Sequence, residues 1–76
     1  MVIRVKINSR EDVYNLNMVA CNQPYDMFVS CGYNVYDAKS LLALYTLVGE
    51  EVNIVAPDRV DPEKFYKTVK KMGLEM

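Results

Sequence analysis

The segment Asp37-Ala38-Lys39-Ser40-Leu41-Leu42-Ala43-Leu44-Tyr45-Thr46-Leu47 starts a short helix on a polar cap and then loads it with large apolar groups. Either Asp37 or Ser40 can serve as the cap, because short oxygen-bearing side chains satisfy the first unpaired amides of a helix. Gly49 supplies the stop. A helix of about seven residues hides roughly half of five large apolar side chains. Leu41 and Leu42 are adjacent, so they cannot share one narrow face, and Tyr45 lies beside them at i+4 and i+3. Two readings stay open. All five groups are core, as a small domain sometimes needs, or some form an exposed patch that contacts a partner or a second copy.

On the C-terminal side, Glu51 to Ala56 alternates and reads as a strand, with Val52, Ile54 and Ala56 on one face. Pro57-Asp58 breaks it. Asp61-Pro62-Glu63 then combines a cap, a proline at the first helical position and an acid in the first turn. Phe65, Val69 and Met72 follow at i, i+4 and i+7, which makes one buried stripe. Lys67, Lys70 and Lys71 favour the last turns, and Gly73 ends the helix.

On the N-terminal side, Tyr25 to Ser30 alternates, Cys31-Gly32 marks a turn, and Tyr33 to Tyr36 forms the second arm of a hairpin. Residues 2 to 7 make another half-buried strand, with Ile3, Val5 and Ile7 inward and Val2, Arg4 and Lys6 outward. Ser9 with Asp12 resembles a capping box, which places a helix from about Arg10 to Ala20. Its apolar face is Val13, Leu16, Val19 and Ala20, and Asn15, Asn17 and Asn22 lower its propensity. Pro24 closes it. The order β-α-β-β-α-β-α predicts a two-layer α+β domain over residues 1–76, with helices covering one face of the sheet.

Bulk properties narrow the function. The 76 residues carry nine basic and ten acidic side chains, for a net charge of -1. That is a poor match to nucleic acid, whose binders carry a basic stripe. The six tyrosines are better explained by packing across the hairpin than by base stacking. Two cysteines are too few for a disulfide framework. Without histidine or a CxxC pair, Cys21 and Cys31 read as small buried apolar residues, not metal ligands. The start of the chain does not resemble a leader, and no apolar run approaches the roughly 18 residues of a membrane span. These features predict a cytoplasmic protein with reduced thiols that binds neither membrane nor metal nor cofactor. The carboxylate pairs Glu50-Glu51 and Asp58 with Asp61 sit at turns and helix starts, where solvation and capping account for them. The three glycines are isolated and form no phosphate loop. The chain contains no histidine, so it lacks the commonest acid–base side chain at neutral pH.

The element order and the central segment resemble the histidine-containing phosphocarrier protein (HPr) of the sugar phosphotransferase system. The likeness rests on Val29-Ser30-Cys31-Gly32, Asp37-Ala38-Lys39-Ser40-Leu41-Leu42, Leu44 to Leu47, and the strand Val52-Asn53-Ile54-Val55-Ala56. It implies an open-faced sandwich with an antiparallel sheet of strand order 1-4-2-3. The family's phosphate-carrying histidine and its neighbouring arginine belong between the first strand and first helix. Here that region reads Asn8-Ser9-Arg10-Glu11-Asp12-Val13-Tyr14-Asn15. Arg10 lies near the arginine's place, but no imidazole is present, and Glu11 and Asp12 would repel an incoming phosphate.

In Gram-positive relatives the serine of the Lys-Ser-apolar stretch is phosphorylated by a dedicated kinase. Some histidine-lacking paralogues keep only that regulatory role and dock on a transcriptional repressor. The resemblance therefore implies a non-catalytic regulatory module of carbohydrate control, with Ser40 as the phosphorylation site. Leu41, Leu42 and Tyr45, with Lys39 beside them, would bind partners, while Leu44 and Leu47 face the core. The implied partners are a serine kinase and a transcriptional regulator. The alternative is a degenerate domain that binds a partner or self-associates, with Ser40 acting only as a helix cap.

Overall fold

The computed structural model describes all residues 1–76. Strand β1 (Val2–Lys6) leads into helix α1 (Arg10–Cys21), followed by the hairpin of β2 (Phe28–Cys31) and β3 (Asn34–Asp37). Helix α2 (Leu41–Leu44) continues directly into a 3-10 turn (Tyr45–Leu47), before β4 (Glu51–Val55) and α3 (Pro62–Lys71). The four strands form one antiparallel sheet in the order β1-β4-β2-β3. This is the α+β, open-faced arrangement that the resemblance implied.

Register explains which side is dry. Ile3 pairs with Ile54, Ile54 with Val29, and Val29 with Tyr36, so one row of the sheet presents four large side chains to the same face. Val5 and Val52 pair two residues along, on the same face. Against this face pack Val13, Leu16 and Ala20 of α1, Leu44 of α2, and Phe65 and Val69 of α3, in one core of 17 buried hydrophobic residues. Fully burying the valine, leucine and phenylalanine side chains among these stabilises by about 1.5–3 kcal/mol each. The opposite face is uncovered and leaves Val2, Phe28 and Val35 exposed.

The outer edge of β1 receives one bridge, in which the Lys6 amide donates to the Glu75 carbonyl at 2.7 Å. The outer edge of β3 is four residues long.

Several boundaries differ from expectation. The hairpin turn is Gly32-Tyr33, since Cys31 still pairs with Asn34. Gly32 has φ +60 and no other residue type has positive φ, which is the pattern of a two-residue II′ hairpin turn. Tyr33 therefore stands in solvent at the turn and does not pack across the strands. Cys21 ends α1 in an exposed position and Cys31 is half-buried, so neither is the buried apolar residue expected. The helix expected to run to Leu47 is one α-turn that tightens to 3-10 at Tyr45. The Thr46 hydroxyl donates back to the Ala43 carbonyl at 2.7 Å there, and Gly49, at φ +91, turns the chain towards β4. The Gly49 amide then donates to the Ile7 carbonyl at 2.7 Å, tying this connection to the end of β1.

Candidate functional site

The turn between β3 and α2 is held from several directions. Ala38 is fully buried, and its amide donates to the Met27 carbonyl at 3.0 Å. Its carbonyl accepts from the Asn17 side-chain amide of α1 at 3.1 Å. Asp37 folds back so that its carboxylate accepts from the Lys39 amide at 2.9 Å, and the Ser40 amide donates to the Asp37 carbonyl at 3.0 Å. The Lys39 ammonium reaches the Asp26 carboxylate at 3.8 Å. Such a turn leaves little conformational freedom in the residues leading to Ser40.

Ser40 occupies the cap position of α2, but its side chain makes no capping hydrogen bond. Its backbone, at φ -94 and ψ 89, lies outside the extended region that aims a cap side chain at the following amides. Only its carbonyl joins the helix, accepting from the Leu44 amide at 3.3 Å. The reading of Ser40 as merely a helix cap is corrected by this geometry. Asp37 does not cap α2 either, since its carboxylate is engaged two residues on, at Lys39. The residue Ser40 is exposed, and Lys39 beside it is exposed as well.

Beyond Ser40 the apolar side chains divide. Leu44 and Leu47 are buried in the core, while Leu42 is 82% exposed. Leu41 and Tyr45 are half-buried and pack against the rim of the core. Arg10, at the first position of α1, places its guanidinium over the Tyr45 ring, 5.4 Å from the centroid. That distance is within cation–π range and joins the start of α1 to α2. Ser40, Leu41, Leu42 and Tyr45 thus share one short segment, and Arg10 reaches it from α1. Asp12 is engaged in its own cap: the Ser9 hydroxyl accepts from the Asp12 amide at 3.2 Å, and the Asp12 carboxylate accepts from the Asn8 amide at 2.8 Å.

Two positioning residues were not singled out from sequence, Asn17 and Asp26. The signal for Asn17 was available. It follows the buried Val13 by four positions and the buried Leu16 by one, so it borders the apolar face of a helix whose propensity it lowers. Asp26 carried no distinguishing signal. No group of three or more histidine, cysteine, aspartate or glutamate side chains is placed to hold a metal ion. No helix is long and apolar enough to cross a membrane.

No protein-family model matches the chain, and no curated protein matches it. Among solved structures, it is similar to the crystal structure of HPr-C-His from Thermoanaerobacter tengcongensis, with a TM-score of 0.66 and 20% sequence identity. The match covers 100% of this chain and 97% of that one. With the β1-β4-β2-β3 sheet and its three helices, the chain has an HPr-like fold.

Proposed function

We propose that residues 1–76 form a single HPr-like domain that works as a non-catalytic, regulatory recognition module in the cytoplasm, switched by phosphorylation of Ser40. The observation that carries this reading is the pairing of an uncapped, exposed Ser40 with the exposed Leu42 on one rigid turn, in a chain without histidine. Lacking an imidazole, the chain cannot relay a phosphoryl group by the family's route. The Ser40 hydroxyl can still accept one. Its oxygen attacks the γ-phosphorus of ATP, the proton passes to a base of the kinase, and ADP leaves.

The product adds about -1.5 to -2 charge and three strong acceptor oxygens beside Leu41 and Leu42. A partner that contacts this surface then meets an apolar patch in one state and an apolar patch bordered by a dianion in the other. Helix α2 has only four residues, so a helix dipole contributes little to holding the phosphate. The nearest cation in sequence is Lys39, which would have to exchange Asp26 for the phosphate. The partners in this reading are an HPr-type serine kinase and a transcriptional regulator of carbohydrate use.

The test is incubation with an HPr serine kinase and ATP, read by intact-protein mass. One added phosphoryl group, absent in Ser40→Ala, is the expected result. An unmodified mass, or a label that persists in Ser40→Ala, overturns the switch. A second reading is favoured by the exposure of Leu42 alone, namely contact with a partner or a second copy without phosphorylation. Sedimentation at several concentrations, with Leu42→Ser as control, separates the two.

A further inference from the structure

A groove of about 320 Å³ lies between the segment after α1 and the exposed side of α3. Its walls include Gln23, Tyr25, Val60, Lys64, Lys67 and Lys71. We propose that this groove binds a small phosphate monoester with a planar apolar body, the phosphate held by the three lysines and the ring lying against Tyr25 and Val60.

The charge placement is the first support. The chain is acidic overall, yet four of its nine basic residues fall on the ten residues of α3. Lys64, Lys67 and Lys71 recur at i, i+3 and i+7, which sets them on one stripe. Like charges at that spacing destabilise a helix. Lys64 also stands in the first turn, where a cation opposes the helix dipole. Capping and dipole arguments account for Lys70 and Lys71 but not for Lys64. Only Lys67 has a carboxylate partner, Glu63 at 3.8 Å, and that pair is exposed and correspondingly weak. Lys64 and Lys71 have no ion-pair partner.

The shape of the groove is the second support. Tyr25 and Val60 are half-buried and pack against the core, so the apolar part of the groove is firm. The volume falls at the low end of the roughly 300–1,000 Å³ typical of small-molecule sites. Three ammonium groups are compact point charges, suited to the separate oxygens of a phosphate dianion. The ring of such a ligand gains by stacking on Tyr25.

This proposal is independent of the Ser40 surface, and its test uses neither kinase nor regulator. The full chain is titrated with phenyl phosphate, inorganic phosphate and phenol while backbone amide resonances are followed. Shifts are expected at Gln23 to Tyr25 and along Val60 to Lys71, with phenyl phosphate binding about tenfold more tightly than inorganic phosphate. The double variant Lys64→Gln/Lys71→Gln, with unchanged circular dichroism, should lose roughly tenfold in affinity or more. Ser40→Ala should bind as the parent does. The proposal is overturned by absent saturation, by equal affinity for the two phosphates, or by a double variant that binds normally. Tighter binding of an oligoglutamate peptide would also overturn it, since the groove would then be a docking site for acidic protein segments.

Discussion

Ser9 and Ser40 each stand at the cap position of a helix, yet one is tied down and the other is not. Ser9 has φ -153 and ψ 168, and its hydroxyl accepts the Asp12 amide. Asp12 answers through Asn8, so the corner between β1 and α1 closes in both directions. Ser40 has a turned backbone and its third following residue is Ala43, which has no side-chain oxygen to offer in return. The corner between β3 and α2 is instead held by Asp37, Asn17 and Met27. The difference separates two uses of one residue type. At the first corner the hydroxyl stabilises the fold; at the second the fold is secured by other groups, and the exposed Ser40 makes no capping bond.

That contrast can be broken in order of effect. The largest change belongs to the core behind the second corner: Leu44→Ala should lose about 2–5 kcal/mol, read from the urea midpoint. A loss below 1 kcal/mol there would mean that α2 is not anchored as described. Ser9→Ala should cost about 1 kcal/mol. For a chain of this length that lowers the Tm by roughly 4–8 °C. Asn17→Ala has two opposed contributions. The lost hydrogen bond costs about 0.5–1.5 kcal/mol, while alanine's better helix propensity returns up to about 0.7 kcal/mol. The carbonyl of buried Ala38 is also left without its side-chain donor, so net stability should fall by about as much as in Ser9→Ala. Amide exchange at Lys39 and Ser40 should quicken, and unaltered exchange would show that the α1 tether does not hold this turn. Ser40→Ala should be the mildest, within about 0.5 kcal/mol, and Leu42→Ala likewise. If Ser40→Ala matched Ser9→Ala in thermal unfolding, the two corners would be equivalent and the contrast would fail.

The strand and helix order was readable because period-2 and period-3.6 patterns alternate with clear breakers such as Pro24, Pro57 and Pro62. The capping box at Ser9 was readable for the same reason, since Asp12 stands three residues on. Ser40 looked equally able to cap from sequence, since a serine before an apolar run has the right oxygen whether or not a partner follows three residues on; only its turned backbone separates it from Ser9. What the chain did not disclose depends on long-range geometry. The sheet order followed from a family likeness, because alternation specifies which face of a strand is dry but not which strand lies beside it. The Gly49 amide reaches the Ile7 carbonyl, a contact between distant segments that periodicity does not show. The exposure of Cys21 is the exception, a local matter: it follows Ala20 by one residue on α1 and so lies off the face of Val13, Leu16 and Ala20. The Arg10–Tyr45 contact joins residues 35 positions apart only because α1 and α2 lie side by side.

The two rims of the sheet carry a further consequence. One is four residues long, and the other already has an amide occupied by Glu75. Neither offers a long unpaired row of donors and acceptors on which another polypeptide could extend the ladder. Although one broad surface of the strands stays wet and partly greasy, growth into fibrils by lateral strand addition has no ready template. Concentrated solutions should therefore fail, when they fail, by contact between faces.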